Sequence, residues 1–185
     1  NGEAILPTNG IDPFSLKPPF RTKPVVAAMN GICYTAAIEL MLATEIVVSA
    51  KSARYSQLEV GRGVMAAAGA TFRMVERAGW GNAMKVLLTG YEFNAEEALR
   101  YNFIQEIVDD GEEFNRALEL AEEIAKQAPL AVQATLQSSR AYYFDSPKAA
   151  VDEFIPVMQA LANTEDAAEG VQSFIEKRPP VYKGK

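Results

Sequence analysis

Two short apolar runs that flank a helix-length segment constrain the fold of this chain most. The first run, V-V-A-A-M-N-G at residues 25–31, ends in an Asn-Gly turn signal, and the second, E-I-V-V-S-A, covers residues 45–50. Both runs are typical of buried strands, and residues 35–44 between them are predicted to form a helix. Two strands joined by a helical crossover favour parallel pairing with a right-handed connection, so the sequence predicts an α/β fold.

The rest of the chain is predicted to change from mixed structure to helix. Residues 1–23 predict a proline-rich loop with one short helical piece. The segment after Arg54 predicts no more than an edge strand or loop, followed by a helix that ends near Arg77. The further predicted elements are a capped helix from Asn94, with Glu97 three residues on, to Asn102, a strand at 103–108, and helices at 112–128, 130–143, 148–162 and 165–177. No internal repeat is visible in the sequence.

Glu39 stands inside the apolar segment and has no obvious solvated face. Its neighbours at helical spacing include Ala36 and Leu42. A buried acid needs a partner, so Glu39 could be a structural acid paired with Arg73 or Lys85. It could also belong to a catalytic site, where buried acids have a chemical use. The residues alone favour the structural interpretation and leave the catalytic one open.

Composition excludes several classes of function. The chain has no histidine, which removes Ser-His-Asp and Cys-His catalysis together with the commonest ligand for transition metals, and we expect no metal site. A formal net charge of −6 argues against a nucleic-acid partner, because such proteins need a basic surface.

The sequence also predicts where the protein works. Cys33 is the single cysteine and cannot form an internal disulfide, which fits a reducing compartment, and we expect a cytoplasmic protein. No apolar run approaches the ~18 residues that span a bilayer, so no membrane partner is expected.

Seven motifs in a fixed order identify a known family. They are K-P-V-V-A-A-M-N-G, a small-residue turn into x-E-L, A-R-Y-S-Q-L-E-V-G, A-G-A-T-F-R, L-L-T-G, A-E-E-A and F-I-E-K-R. Together, from Lys23 to Arg178, they closely resemble the crotonase family, also called the enoyl-CoA hydratase/isomerase superfamily. Each motif alone is weak, whereas their order and spacing together are highly specific.

The resemblance implies a fold and a domain organisation. The implied fold is α/β of the ClpP/crotonase type, a crotonase-like ββα spiral with an all-helical C-terminal trimerisation part. Residues 1–110 would be the C-terminal portion of the crotonase core, with the N-terminal part of the domain absent, and residues 111–185 the helical trimerisation region. A homotrimer or a dimer of trimers is expected.

The resemblance also implies the site. The two catalytic glutamates of the family's hydratases correspond to Glu39 and Glu59, and an oxyanion-hole N–H corresponds to the backbone of Ala36. Lys177 and Arg178 resemble basic residues that contact coenzyme A phosphates. The implied ligand is an acyl-CoA thioester, with no cofactor beyond the coenzyme A of the substrate.

The implied activity is hydration of a 2-enoyl-CoA thioester by two-glutamate acid/base catalysis. Glu39 is assigned to water activation and Glu59 to proton delivery. The alternatives are a Δ3-Δ2 enoyl-CoA isomerase and a catalytically inactive acyl-CoA-binding paralogue. The last draws support from departures from the family pattern, because T-A-A-I and A-A-A-G-A-T replace glycine-rich turns, and the segment that holds the other oxyanion N–H has no counterpart.

Overall fold

The structure is a computed structural model that describes residues 10–185, except for the side chain of Phe144. The described chain forms two compact units. The first holds the chain up to Arg21 together with Val25–Leu120, and the second holds Thr22–Pro24 and Ala121–Lys185. Residues 10–23 contain no helix, so the short helical piece predicted for the lead-in is wrong for this range. Residues 1–9 of that prediction lie outside the described residues.

Short strands and helices alternate in the first unit. Its strands are β1 (Val26–Met29), β2 (Ile32–Tyr34), β3 (Ile46–Ala50), β4 (Arg54–Ser56), β5 (Phe93–Asn94) and β6 (Glu106–Val108). Its helices are α1 (Ala36–Leu42), α2 (Ala70–Thr89) and α3 (Ala95–Arg100), together with a 3-10 helix at Glu59–Arg62. A further helix, α4 (Glu113–Ala125), contains the division between the units.

Two ββα repeats organise these elements. The first repeat is β1-β2-α1 and the second is β3-β4-α2, and each contributes one strand to each of two sheets. β1 pairs with β3 and β2 pairs with β4, in parallel in both cases. The parallel pairing predicted for the strands on either side of α1 is therefore confirmed. β6 extends the first sheet in parallel, and β5 closes the second sheet in antiparallel orientation.

An aromatic cluster fills the core beneath the second sheet. Phe93 stacks on Tyr55 with ring centroids 5.5 Å apart and lies 6.0 Å from Phe103. All three side chains are buried, and the hydroxyl of Tyr55 shares a 2.6 Å hydrogen bond with Ser49. Buried aromatic side chains remove large apolar areas from water, and this fixes β4 and the loop that follows it.

The predicted helix start at Asn94 is confirmed. The Asn94 side chain accepts a 2.9 Å hydrogen bond from the Glu97 N–H, which caps α3. Asn102 follows the helix with a φ of 57°, the left-handed conformation expected for it there. Helix α2 extends beyond the predicted end near Arg77, because the chain kinks at Gly79 and then resumes a helix to Thr89.

Helices make up the second unit, as predicted. They are α5 (Pro129–Arg140), α6 (Pro147–Ala162) and α7 (Glu165–Glu176), with a π-helical turn at Ala141–Asp145. The last residues fold back along α7, where Asp166 accepts hydrogen bonds from the N–H groups of Lys183 and Gly184 at 2.6 and 2.8 Å. This segment, residues 178–185, is called the C-terminal tail below.

Candidate functional site

The parallel strands β2 and β4 end side by side, and each is followed by a candidate glutamate. Tyr34 at the end of β2 lies opposite Ser56 at the end of β4, and the Thr35 N–H donates a 2.9 Å hydrogen bond to the Ser56 carbonyl. Glu39 lies in α1, which follows β2, and Glu59 opens the 3-10 helix that follows β4. Because parallel strands deliver their carboxyl ends to the same edge of a sheet, both acids leave one edge.

Glu39 is buried, with 4% of its surface exposed, and main-chain donors hold it. Its Oε1 accepts hydrogen bonds from the N–H groups of Ala68 and Ala70, at 2.7 and 3.1 Å. N–H groups can only donate, so Oε1 is an acceptor, and any proton carried by Glu39 would sit on Oε2. Within residues 10–185, Oε2 of Glu39 makes no hydrogen bond.

The predicted ion pair of Glu39 with Arg73 or Lys85 is wrong. The Arg73 guanidinium donates instead to main-chain carbonyls, to Ala68 at 3.0 Å and to Phe14 at 2.6 Å. Burial lowers the pKa of Arg73, and Glu39 is only one of several charges that act on it. Lys85 lies over the ring of Tyr91 and forms its ion pair with Glu97, at 3.9 Å.

The loop that holds Glu39 requires a glycine at its centre. Gly69, between the two donor residues, has a φ of 109°, a backbone conformation that residues with a Cβ rarely adopt. A Cβ at this position would overlap Nη1 of Arg73 and lie 2.9 Å from its Cζ. The A-A-A-G-A-T stretch therefore keeps glycine where the backbone needs it. We call Ala68–Gly69–Ala70 the carboxylate cradle.

Glu59 is half-buried and has a side-chain partner. Gln57, which is 1% exposed, donates from Nε2 to Oε1 of Glu59 at 3.0 Å. Oε2 of Glu59 and Oε1 of Gln57 are both buried and have no hydrogen-bond partner in the described chain. Buried polar atoms without partners are rare in folded proteins, and each points to a missing donor.

Ala36 is the first residue of α1, so its N–H has no carbonyl acceptor within the helix. The residue before it, Thr35, has φ 51° and ψ −115°. A β-branched residue in that region is strained. The strained residue directs the peptide that carries the Ala36 N–H, and the Thr35 side chain does not cap the helix.

A comparison with the other buried acids sets Glu39 apart. The buried acidic side chains among residues 10–185 are Asp12, Glu39, Glu113 and Asp166. Three of them use both oxygens as acceptors. The donors are Phe14 and Leu16 for Asp12, Asn30 and Gly111 for Glu113, and Lys183 and Gly184 for Asp166. Glu39 uses one oxygen and leaves the other available. Among the buried acids of residues 10–185, Glu39 is thus the one whose second oxygen has no hydrogen bond.

The basic residues at the end of α7 have different surroundings. Lys177 is exposed and ends the helix with a φ of 53°. Arg178 donates to both carboxylate oxygens of Glu169, at 2.5 and 2.8 Å, and to Glu176 at 2.6 Å. A phosphate that bound Arg178 would have to compete with these carboxylates. The coenzyme A role of both residues stays a prediction.

Sequence reasoning missed Gln57 and the carboxylate cradle. Gln57 lay inside the quoted A-R-Y-S-Q-L-E-V-G motif, two residues before Glu59, and this spacing was the available signal. Among residues 10–185, no three Asp, Glu or Cys side chains are grouped as metal ligands would be. No helix in the same range has the length and apolar character of a membrane span.

The family model described as enoyl-CoA hydratase/isomerase matches residues 20–185. The chain is 33% identical over 163 residues to the 2,3-dehydroadipyl-CoA hydratase of Escherichia coli, and 33% identical over 171 residues to the carnitinyl-CoA dehydratase of Proteus mirabilis. Each match covers 88% of this chain and 64% of the relative, so the chain spans less than two thirds of the length of these relatives.

Solved structures share the fold. A probable enoyl-CoA hydratase/isomerase from Mycobacterium abscessus is 40% identical with a TM-score of 0.97, and the match covers 100% of this chain and 71% of that one. An enoyl-CoA hydratase from Bacillus anthracis is 31% identical with a TM-score of 0.85, over 89% of this chain and 64% of that one. The ββα repeats are therefore those of a crotonase fold, and the chain belongs to the enoyl-CoA hydratase/isomerase family.

Proposed function

We propose that the protein is an enoyl-CoA hydratase, in which Glu39 and Glu59 add water across the double bond of a 2-enoyl-CoA thioester. The observation that carries the proposal is that both acids follow the carboxyl ends of paired parallel strands. Each acid also keeps one oxygen without a hydrogen bond in the described chain. An acid that only stabilised the fold would be expected to use both oxygens, as Glu113 and Asp166 do.

The free oxygens fit the two proton transfers of hydration. Glu39 takes a proton from water through Oε2, and the water oxygen bonds to the β-carbon of the substrate. Glu59 gives a proton from its Oε2 to the α-carbon, so the two steps together add one molecule of water. The free enzyme is restored when the proton gained by Glu39 returns to Glu59.

The Ala36 N–H is proposed to stabilise the negative charge that develops on the thioester oxygen between these steps. Donors fixed before the reaction stabilise such charge without reorganisation. The strained backbone of Thr35 sets the direction of this N–H.

The substrate and the assembly are also proposals, because the match covers only 64% of the curated relative's length. The substrate is an acyl-CoA thioester in the cytoplasm, no further cofactor is needed, and Lys177 contributes charge to the binding of the coenzyme A phosphates. A homotrimer, or a dimer of trimers, is supported by the apolar side chains that α6 and α7 expose. They include Val151, Phe154, Ile155, Val171 and Phe174.

The test is a crotonyl-CoA hydration assay on the full-length protein, with Glu39→Gln and Glu59→Gln as variants. Each substitution keeps the size of the side chain and removes its ability to carry a proton. We expect each to lower kcat by about 10²–10⁴-fold, the usual contribution of an acid or base. The matched control is Glu96→Gln, an exposed glutamate in α3, which should leave the rate unchanged.

The rival activities give different results in the same experiment. An isomerase would convert a 3-enoyl-CoA to the 2-enoyl isomer without hydrating crotonyl-CoA, and it would depend on Glu59 much more than on Glu39. An inactive acyl-CoA-binding paralogue would show affinity for crotonyl-CoA with no turnover. Full hydratase activity in both glutamine variants would refute the roles of the two acids.

A further inference from the structure

A buried arginine without an acid partner lies beside the carboxylate cradle. Arg73 is 4% exposed, and within residues 10–185 its guanidinium forms no ion pair with a carboxylate. Buried charges in proteins are usually paired with an opposite charge, because removing an ion from water is costly. Arg73 donates only to main-chain carbonyls, so its place in the fold needs another explanation.

The first carbonyl partner of Arg73 belongs to the cradle. Nη1 of Arg73 donates to the Ala68 carbonyl oxygen at 3.0 Å, while the Ala68 N–H donates to Oε1 of Glu39 at 2.7 Å. Both peptide groups that flank the Cα of Ala68 are therefore fixed, one by the carboxylate and one by the guanidinium. Gly69 makes room for this arrangement, since a Cβ there would overlap Nη1. The guanidinium thus occupies the volume that a side chain at position 69 would fill.

The other carbonyl partners of Arg73 lie near the start of the described chain. Nη2 of Arg73 donates to the carbonyl oxygens of Phe14 and Ser15, at 2.6 and 3.3 Å. Asp12 closes this part of the chain into a turn, because its carboxylate accepts from two N–H groups of the turn, that of Phe14 at 2.9 Å among them. The Ser15 N–H also donates to the Asp12 carbonyl at 3.0 Å. Local hydrogen bonds thus hold the two carbonyls in place, and we call residues 12–16 the lead-in turn.

Arg73 connects the lead-in turn with the cradle and leaves the second oxygen of Glu39 unused. A planar guanidinium presents several N–H donors in a fixed geometry, so it can bridge two segments that a single donor could not. A direct ion pair with Glu39 could occupy Oε2, the oxygen that has no hydrogen bond among the described residues. Donation to the Ala68 carbonyl supports the cradle and keeps that oxygen available.

We propose that Arg73 is a positioning residue for Glu39. By fixing Ala68 against the lead-in turn, it holds Oε1 of Glu39 between the two cradle N–H groups and so leaves Oε2 for the chemistry. The inference rests on the proposed hydratase function, because hydration requires this orientation of Glu39. Arg73 makes no hydrogen bond with Glu39 and transfers no proton.

The decisive variant is Arg73→Met, which removes the guanidinium and keeps a long, unbranched side chain in its space. We expect kcat for crotonyl-CoA hydration by the full-length protein to fall by about 10- to 100-fold, because a small displacement of a catalytic group has an effect of this size. KM should stay close to that of the unmodified protein, because the substitution moves an acid and removes no substrate contact. An unchanged kcat, or a change confined to KM, would overturn the proposal.

Arg77→Met is the matched control and separates positioning from general stability. Arg77 lies one turn further along α2 and also donates to three main-chain carbonyls. They are those of Leu42, Thr44 and Phe103, and none of them belongs to the cradle. Both methionine variants should lower the melting temperature, whereas only Arg73→Met should lower kcat. An equal loss of kcat in the two variants would overturn the proposal.

Arg73→Lys keeps the positive charge and serves as the second variant if Arg73→Met does not fold. An ammonium group lacks the planar fork of donors, so it cannot hold Ala68 and the lead-in turn in the same way. We expect kcat to stay about 10-fold or more below that of the unmodified protein. A normal kcat in this variant would overturn the proposed two-sided attachment.

Hydrogen exchange tests the inference separately from the proposed function. The N–H groups of Ala68 and Ala70 have Oε1 of Glu39 as their acceptor, so their exchange rates report whether the cradle is intact. Both should exchange faster in Arg73→Met and at the unmodified rate in Arg77→Met. If the protein has no hydratase activity but shows this pattern, the proposed function fails while the positioning role survives. Unchanged exchange in Arg73→Met would overturn the inference whatever the activity.

Discussion

The carboxylate cradle in the first unit and the C-terminal tail in the second use the same device for different ends. In both, one buried acid accepts hydrogen bonds from two nearby main-chain N–H groups of a loop or tail. Asp166 divides its two donors, Lys183 and Gly184, between both oxygens. Glu39 takes both of its donors, Ala68 and Ala70, on Oε1.

The difference lies in what remains after the hydrogen bonds are made. Asp166 has no oxygen left over, so its use is to hold the tail against α7. Glu39 holds the cradle equally well and still has Oε2 available for another partner. Under the proposed function, Glu39 therefore combines a folding contact with a catalytic group, whereas Asp166 makes the folding contact alone.

The largest expected effect separates these two uses. Glu39→Ala and Asp166→Ala each leave two N–H groups without an acceptor, so each should lower the free energy of unfolding by about 1–3 kcal/mol. Only Glu39→Ala should also lower hydration activity, by about 10²–10⁴-fold. Denaturant unfolding and the crotonyl-CoA assay measure the two quantities. Equal loss of activity in both variants would mean that the comparison is wrong.

Gly69→Ala tests whether the cradle needs its glycine. The positive φ and the overlap with Arg73 should together cost about 1–3 kcal/mol of stability, measured by thermal unfolding. Gly61→Ala is the matched control, because a Cβ at Gly61 meets nothing within 4 Å and its φ is not positive. A neutral Gly69→Ala would show that the cradle is looser than the structure indicates.

Thr35→Gly addresses the strain at the entrance of α1. Glycine adopts φ 51° and ψ −115° without the clash of a Cβ, so we expect a gain in stability of about 1 kcal/mol. Asn102→Gly is the comparison, because asparagine tolerates its φ of 57° well and should gain less. Equal gains in the two melting temperatures would remove strain from the account of the Ala36 N–H.

The smallest effect concerns the pH dependence of the tail. The Arg178 guanidinium, followed by the Val181 N–H, lowers the pKa of Glu169 from its usual 4.5 to about 2. The tail contact should therefore be fully present above pH 4.5 and be lost as the pH falls toward 2. Hydrogen exchange of the Val181 N–H reports this directly. Glu169→Gln should exchange faster at neutral pH and lose the dependence.

Local sequence signals predicted the helices well where a capping residue or a helical spacing of apolar residues is present. The helix at Asn94 has its own capping residue, and the C-terminal helices repeat apolar residues at helical spacing over many residues, so nearby residues in the sequence were enough to predict their bounds. β2 was missed, because three residues after Gly31 are too few to show an alternating pattern. The resumption of α2 beyond Gly79 was missed because glycine usually ends a helix.

The candidate site could be predicted only in part. The positions of Glu39 and Glu59 came from motifs, and the structure places them after paired strands. The partners of Glu39 could not be predicted, because they are main-chain N–H groups about 30 residues away and any residue type supplies them. A search for side-chain partners led to Arg73 and Lys85 instead.

The most direct test of the central claim is a double-mutant cycle for hydration by the full-length protein. The rates needed are those of the unmodified enzyme, Glu39→Gln, Glu59→Gln and the double variant. If both carboxyl groups act in the same addition of water, the double variant should be about as slow as the slower single variant, because either loss already disables the pair. If the two losses multiply, the acids act independently, and the proposed two-acid hydration is contradicted.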